Sequence, residues 1–165
     1  MISETVLVLA GAFGERLDAE RVAEAIGRGL RADGRLECDL CPIDEDADRS
    51  TAGTAREAGG PAKPVVGQRA GEASALLDGL DFNRRMRAAR AVVIARESLN
   101  GRTLAGSVAF EAATRARQAG VPAYAVARRN ALDPFEARIV DLQVILQAST
   151  PRALAAAGRK LAALV

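Results

Sequence analysis

Apolar residues fall along this chain in short blocks of two kinds. Residues 5–10 (TVLVLA) and 91–95 (AVVIA) are continuous apolar runs. They are too short for free-standing helices and rich in β-branched side chains, the pattern of strands covered on both faces. Residues 123–127 are expected to form the next strand, and 140–148 carry the last one. Residues 36–43 alternate instead, with Leu36, Cys38 and Leu40 on one side and Glu37 and Asp39 on the other. That pattern predicts a half-covered strand near a sheet edge.

Between these runs the period changes to that of a helix. Asp18 is placed to cap a helix over 19–32, with Val22, Ala23, Ala25, Ile26 and Leu30 on one face and Asp33-Gly34 at its end. A short helix is expected over 72–77. Another opens at Asp81-Phe82-Asn83, with Arg84, Arg85, Arg87 and Arg90 as its outer, solvated face. The polar residues 96–102 read as a turn signalled by Asn100-Gly101. Thr103 is the expected N-cap of a long helix that Gly120 ends. Asp133-Pro134 starts a short helix, and Thr150-Pro151 caps a last one to Leu164. Alternating strands and helices predict a single Rossmann-like three-layer α/β domain, its sheet mostly parallel with helices on both faces.

Residues 44–71 break the pattern. An acidic run (Asp44, Glu45, Asp46, Asp48) leads into Ser, Thr, Gly, Pro and Ala without periodicity, interrupted only by a possible strand at Val65-Val66. So long a connection signals a functional loop or a linker.

Composition narrows the chemistry. Aromatic residues are 3% and hydrophobic residues 49% of the 165, so the core is built from Ala, Val, Leu and Ile. With 23 basic and 21 acidic residues the net charge is +2, which argues against nucleic acid as a partner. The chain has no histidine, which excludes a Ser-His-Asp or Cys-His mechanism within it. The two cysteines, Cys38 and Cys41, would face opposite sides of a strand and have no further Cys or His to complete a zinc site. Neither a signal peptide nor a membrane-spanning run is expected, so the reading is of a soluble, cytoplasmic protein.

In a parallel α/β sheet, ligands sit beyond the carboxyl ends of the strands. The stretch from Arg96 to Ser107 should therefore form part of any site. Arg96, Arg102 and the start of the following helix could hold an anion, and the acidic loop could hold Mg²⁺ with a substrate phosphate.

Two parts of the chain resemble the bacterial-type glycerate kinase family: residues 6–30 (VLVLAGAFGERLDAERVAEAIGRGL) and residues 76–165, above all LLDGLDFNRRMRAARAVVIARESLNGRTLAG and VPAYAVARRNALDPFEARIVDLQVILQAST. Together they cover roughly two-thirds of the chain. Family members carry a second α/β domain between these parts. Residues 50–75 stand in its place as a linker, leaving one domain over 1–165. The family's opening Asp-Ser-Phe-Lys turn appears as Gly11-Ala12-Phe13-Gly14, without the lysine. Its Asp-Gly-Gly-Glu-Gly-Thr appears as Glu45-Asp46-Ala47-Asp48-Arg49-Ser50, keeping acids at Glu45 and Asp48. Its Gly-Glu-Gly-Arg-x-Asp-x-Gln-Thr appears as residues 95–103, where the acid becomes Arg96, the arginine Ser98 and the aspartate Asn100. A following lysine becomes Ser107.

The resemblance implies a ligand site at Gly11, Phe13, Gly14, Arg96, Asn100, Arg102, Thr103 and Ser107, with Glu45 and Asp48 as metal ligands. Phosphoryl transfer needs cations for the moving charge and carboxylates for Mg²⁺ or the hydroxyl. The replaced residues are those groups, and no Walker-type loop compensates. The expectation is a glycerate-kinase-like protein without kinase activity that binds a small anion or hydroxy acid, or acts as a partner subunit. A homodimer covering the surface left by the absent domain is one form of that. The alternative is an active kinase of glycerate or a similar small hydroxy acid, using ATP and Mg²⁺ held by Glu45 and Asp48.

Overall fold

The computed structural model describes residues 4–43 and 66–165. Five strands form one sheet: β1 (Glu4–Ala10), β2 (Leu36–Pro42), β3 (Ala91–Asn100), β4 (Ala123–Ala131) and β5 (Leu142–Gln147). Their order is β2-β1-β3-β4-β5, and every pairing is parallel. The alternation of side chains splits the core in two. Leu7, Leu9, Val92 and Ile94 point into one layer, and Val6, Val8, Val93 and Ala95 into the other.

Helix α1 (Ala19–Leu30) and the last helix, α7 (Pro151–Ala162), cover the second layer. The other face carries α2 (Val66–Gly79), α3 (Phe82–Ala88), the four-residue α4 (Gly101–Leu104), α5 (Val108–Gln118) and α6 (Pro134–Val140). The starts are chemically marked. Asp18 accepts from the Arg21 N–H at 2.9 Å and Thr150 from the Ala153 N–H at 3.1 Å. Asp133 and Glu136 form a reciprocal capping box at α6. Each cap is worth about 1 kcal/mol.

Several expectations are corrected by contacts distant in sequence. Val66 opens a helix rather than belonging to a strand, and α2 replaces both the short helix at 72–77 and the last part of the linker. Val65 lies outside the described residues. The strand expected over 140–148 is β5, and Val140 instead ends α6. The turn expected over 96–102 is largely strand: β3 runs on to Asn100 because Ser98, Leu99 and Asn100 pair with Arg129, Asn130 and Ala131 of an equally prolonged β4. Thr103 does not cap the long helix. Asn100 caps α4, and Ser107 caps α5 through the Phe110 N–H at 3.1 Å.

Arg85 is not on a solvated face. Its guanidinium grips Asp39 of edge strand β2 through two hydrogen bonds, Nε–Oδ2 at 2.8 Å and Nη2–Oδ1 at 2.7 Å. It also donates to the Leu40 and Leu80 carbonyls and to the Cys41 sulfur. The hydrogen bonds from Arg85 hold the Asp39 carboxyl below the usual carboxylate range. Burial pushes the Cys41 thiol up. A carboxyl whose pKa is depressed on folding stabilises the fold above its unfolded value, near 3.8, and loses that contribution as pH falls through the folded value. Asp39→Asn should therefore cost about 1–2 kcal/mol at neutral pH, and the difference from the parent should shrink below pH 4 in urea melts.

Candidate functional site

The strand order reverses between β1 and β3, so the neighbouring crossovers leave on opposite faces of the sheet, the position at which a parallel sheet offers a ligand crevice beyond its strand ends. Gly11 follows the last residue of β1 there. The Gly11 N–H donates to the Ala95 carbonyl at 3.0 Å, which locks the end of β1 to β3. The next residue of β3, Arg96, lays its guanidinium over Gly11. A Cβ at position 11 would stand 3.1 Å from Arg96 Nη1, so the close approach depends on glycine.

The loop after Gly11 is tight. Phe13 donates its N–H to the Leu17 carbonyl at 2.8 Å, and its ring is buried in the α1 layer of the core. Gly14 has φ +71°, which favours glycine. It turns the chain past Arg128 of β4 and Glu97 of β3, whose tips would lie 3.5 and 3.6 Å from a Cβ there. Arg128 Nη1 and Glu97 Oε1 are 3.5 Å apart, with both side chains close to half exposed. This is a loose pair whose arginine can turn to another anion.

The sequence-derived residues thus separate into groups. Gly11 and Arg96 meet at the crevice, while Gly14 lies beside Arg128 and Glu97. Asn100 stands beyond the crevice, four residues further along β3, or about 13 Å, and Arg102 and Thr103 follow in α4. All three line an open depression with Ala131, Asp133 and Glu136. Asn100 Oδ1 accepts from the Arg102 and Thr103 N–H groups at 3.1 and 3.0 Å, so its amide oxygen is committed to the helix start. Ser107 is likewise committed to capping α5, and Phe13 to the core. Glu45 and Asp48 lie outside the described residues. Among the described residues no three His, Cys, Asp or Glu side chains are grouped to hold a metal ion, and no helix is long and apolar enough to cross a membrane.

Glu97 and Arg128 were not legible as crevice residues from sequence. Arg128 immediately follows the apolar run of β4, which is the available signal for a strand-end position.

No protein-family model matches the chain, and no curated protein matches it. Among solved structures, it is similar to a pilus assembly-related protein of Burkholderia pseudomallei, with 20% identity, 97% of this chain and 90% of that one covered, and a TM-score of 0.46. An oxidoreductase from Corynebacterium diphtheriae aligns over 99% of this chain and 97% of its own at 11% identity and a TM-score of 0.45. The glutaminase domain of Trypanosoma brucei CTPS aligns over 75% of this chain at 11% identity and a TM-score of 0.37, and the chain spans 36% of that structure. Alignments this loose transfer no function to the chain.

Proposed function

We propose that the chain is a glycerate-kinase-like α/β domain that does not transfer phosphate and binds a small anion of the hydroxy-acid class beyond the carboxyl ends of β1 and β3. The observation that carries this reading is the placement of the Arg96 guanidinium over the side-chain-free Gly11 at the strand-order reversal. A carboxylate entering there meets a planar cation suited to two parallel hydrogen bonds. Arg128, loosely held by Glu97, offers a second cation on the α1 side. The absence of transfer follows from the residues the family uses for it. Gly14 stands where its lysine would be, Arg96 replaces an acid, and Asn100 cannot take a proton and already spends its oxygen on backbone N–H groups. A soluble, cytoplasmic binding protein fits this reading.

Thermal melts test it. D-glycerate at about a hundred times its dissociation constant should stabilise the fold by about 2.7 kcal/mol. That corresponds to a rise of roughly 5–10 °C for a domain of this size. Arg96→Gln should abolish the rise. Equal shifts in both proteins, or none with D-glycerate or inorganic phosphate, would contradict the reading.

A further inference from the structure

The sheet has two edges of opposite character. Edge strand β2 carries Glu37 and Asp39 and closes on Pro42. Charges and a missing N–H are the means by which proteins discourage another strand from pairing. The opposite edge, β5, reads Leu-Gln-Val-Ile-Leu-Gln, without a charge or a proline. Among the described residues it pairs on one side only, with β4. Helix α6 runs almost directly into it and exposes Phe135 at 72% and Ile139 at 47%. These two are four residues apart, on one helix face.

We propose that β5 is the interface between two copies of this chain, paired antiparallel about a two-fold axis normal to the sheet. The group missing beside a strand edge is another strand, and this one is complementary to itself. About an axis through Ile145, antiparallel pairing sets Ile145 against its own copy, Val144 against Leu146, both of the α1 layer, and Gln143 against Gln147, with no like charges opposed. The pairing joins two five-stranded sheets into one and satisfies the outer N–H and C=O groups of β5. A two-fold axis normal to the sheet keeps each face on its own side. Both α6 helices therefore lie on the same face of the joined sheet, each carrying its exposed Phe135 and Ile139. This interface is distinct from the anion crevice and does not depend on it.

Sedimentation of the full chain from about 1 to 500 µM tests the proposal across the affinities usual for dimers. The expected species has twice the 17.2 kDa chain mass. Gln143 and Gln147 are exposed, so Gln143→Lys/Gln147→Lys keeps the fold while placing four like charges along the junction. The dimer constant should weaken by at least about tenfold. Hydrogen exchange on the unaltered protein gives the second readout: outward-facing amides of β5 should be protected at high concentration and exchange freely on dilution. A monomer at every concentration, which leaves the edge to an unrelated strand or to none, overturns the proposal. So does a dimer with unprotected β5 amides, or one indifferent to the two lysines.

Discussion

Gly29→Ala is expected to destabilise the protein by roughly 3 kcal/mol, the upper part of the range for overpacking, and to lower its melting temperature by about 10 °C. In an ordinary helix interior the same change is favourable, because alanine has less backbone freedom to lose. Here α1 and α7 cross almost backbone to backbone. A Cβ on Gly29 would stand 2.0 Å from the Ala155 carbonyl oxygen and 2.9 Å from the Arg159 nitrogen. Both obstacles are main chain, so no side chain can swing aside. Gly158 is the reciprocal position, its Cβ falling 2.3 Å from the Ile26 carbonyl oxygen and 3.0 Å from the Gly29 Cα. The double substitution should cost less than the two single costs added, since separating the helices once relieves both clashes. Gly71 in α2 supplies the opposite sign: nothing lies within 4 Å of its Cβ position, and Gly71→Ala should stabilise by about 0.5–1 kcal/mol. Paired urea melts check both signs.

Arg115→Ala should cost about 2–3 kcal/mol, the scale of losing charge-assisted hydrogen bonds, since the Asp78 partner is itself exposed to solvent. This arginine is 12% exposed and ties three helices together. Its guanidinium donates to Glu111 in α5 at 2.9 Å, to Asp78 in α2 at 2.8 Å, to Asn83 in α3 at 3.2 Å, and to the Ser74 hydroxyl at 2.7 Å. Burial pulls its pKa down, but the bonds to Asp78 and Glu111 outweigh that and leave it raised, so the charge persists at every working pH. Lysine has one cationic centre and cannot span these partners, so Arg115→Lys should recover less than half of the loss. The change should also show locally. Amides of α2 should exchange faster than those of β1, because Ala73 and Leu77 would be left as its main anchors on the sheet.

These arginines show where sequence stops being informative. The apolar blocks at 5–10 and 91–95 are locally determined and fold as strands. The helix face of Val22, Ile26 and Leu30 and the caps Asp18, Asp133 and Thr150 are equally local. The edge position of β2 was visible in its alternation. Arg85 looked like a solvent-facing charge because its acceptor Asp39 lies 46 residues away, and nothing local marked Arg115, whose acceptor Asp78 lies 37 residues away. Residues 96–100 looked like a turn because they are polar. Their strand conformation comes from β4, whose polar end supplies the missing partners.

The site divides along the same line. The crevice position of Gly11 and Arg96 follows from strand ends that could be read in advance. Asn100, Arg102, Thr103 and Ser107 came through a motif that treats the region as one loop, whereas the prolonged β3 carries Asn100 about 13 Å beyond Arg96. Two of the four are spent on helix starts. Gly29 and Gly158 were unmarked in the sequence, since a glycine within a helix announces a close crossing only once the second helix is in place.

The proposed site at Gly11 and Arg96 should hold a small acid without transferring phosphate to it. Calorimetric titration of D-glycerate into the protein with ATP and Mg²⁺ present, with ADP followed in the same cell, separates binding from kinase chemistry. Saturable binding that disappears in Arg96→Gln, with no ADP above the enzyme-free rate, is expected. Binding that survives Arg96→Gln, or ADP formed in step with added glycerate, would overturn it.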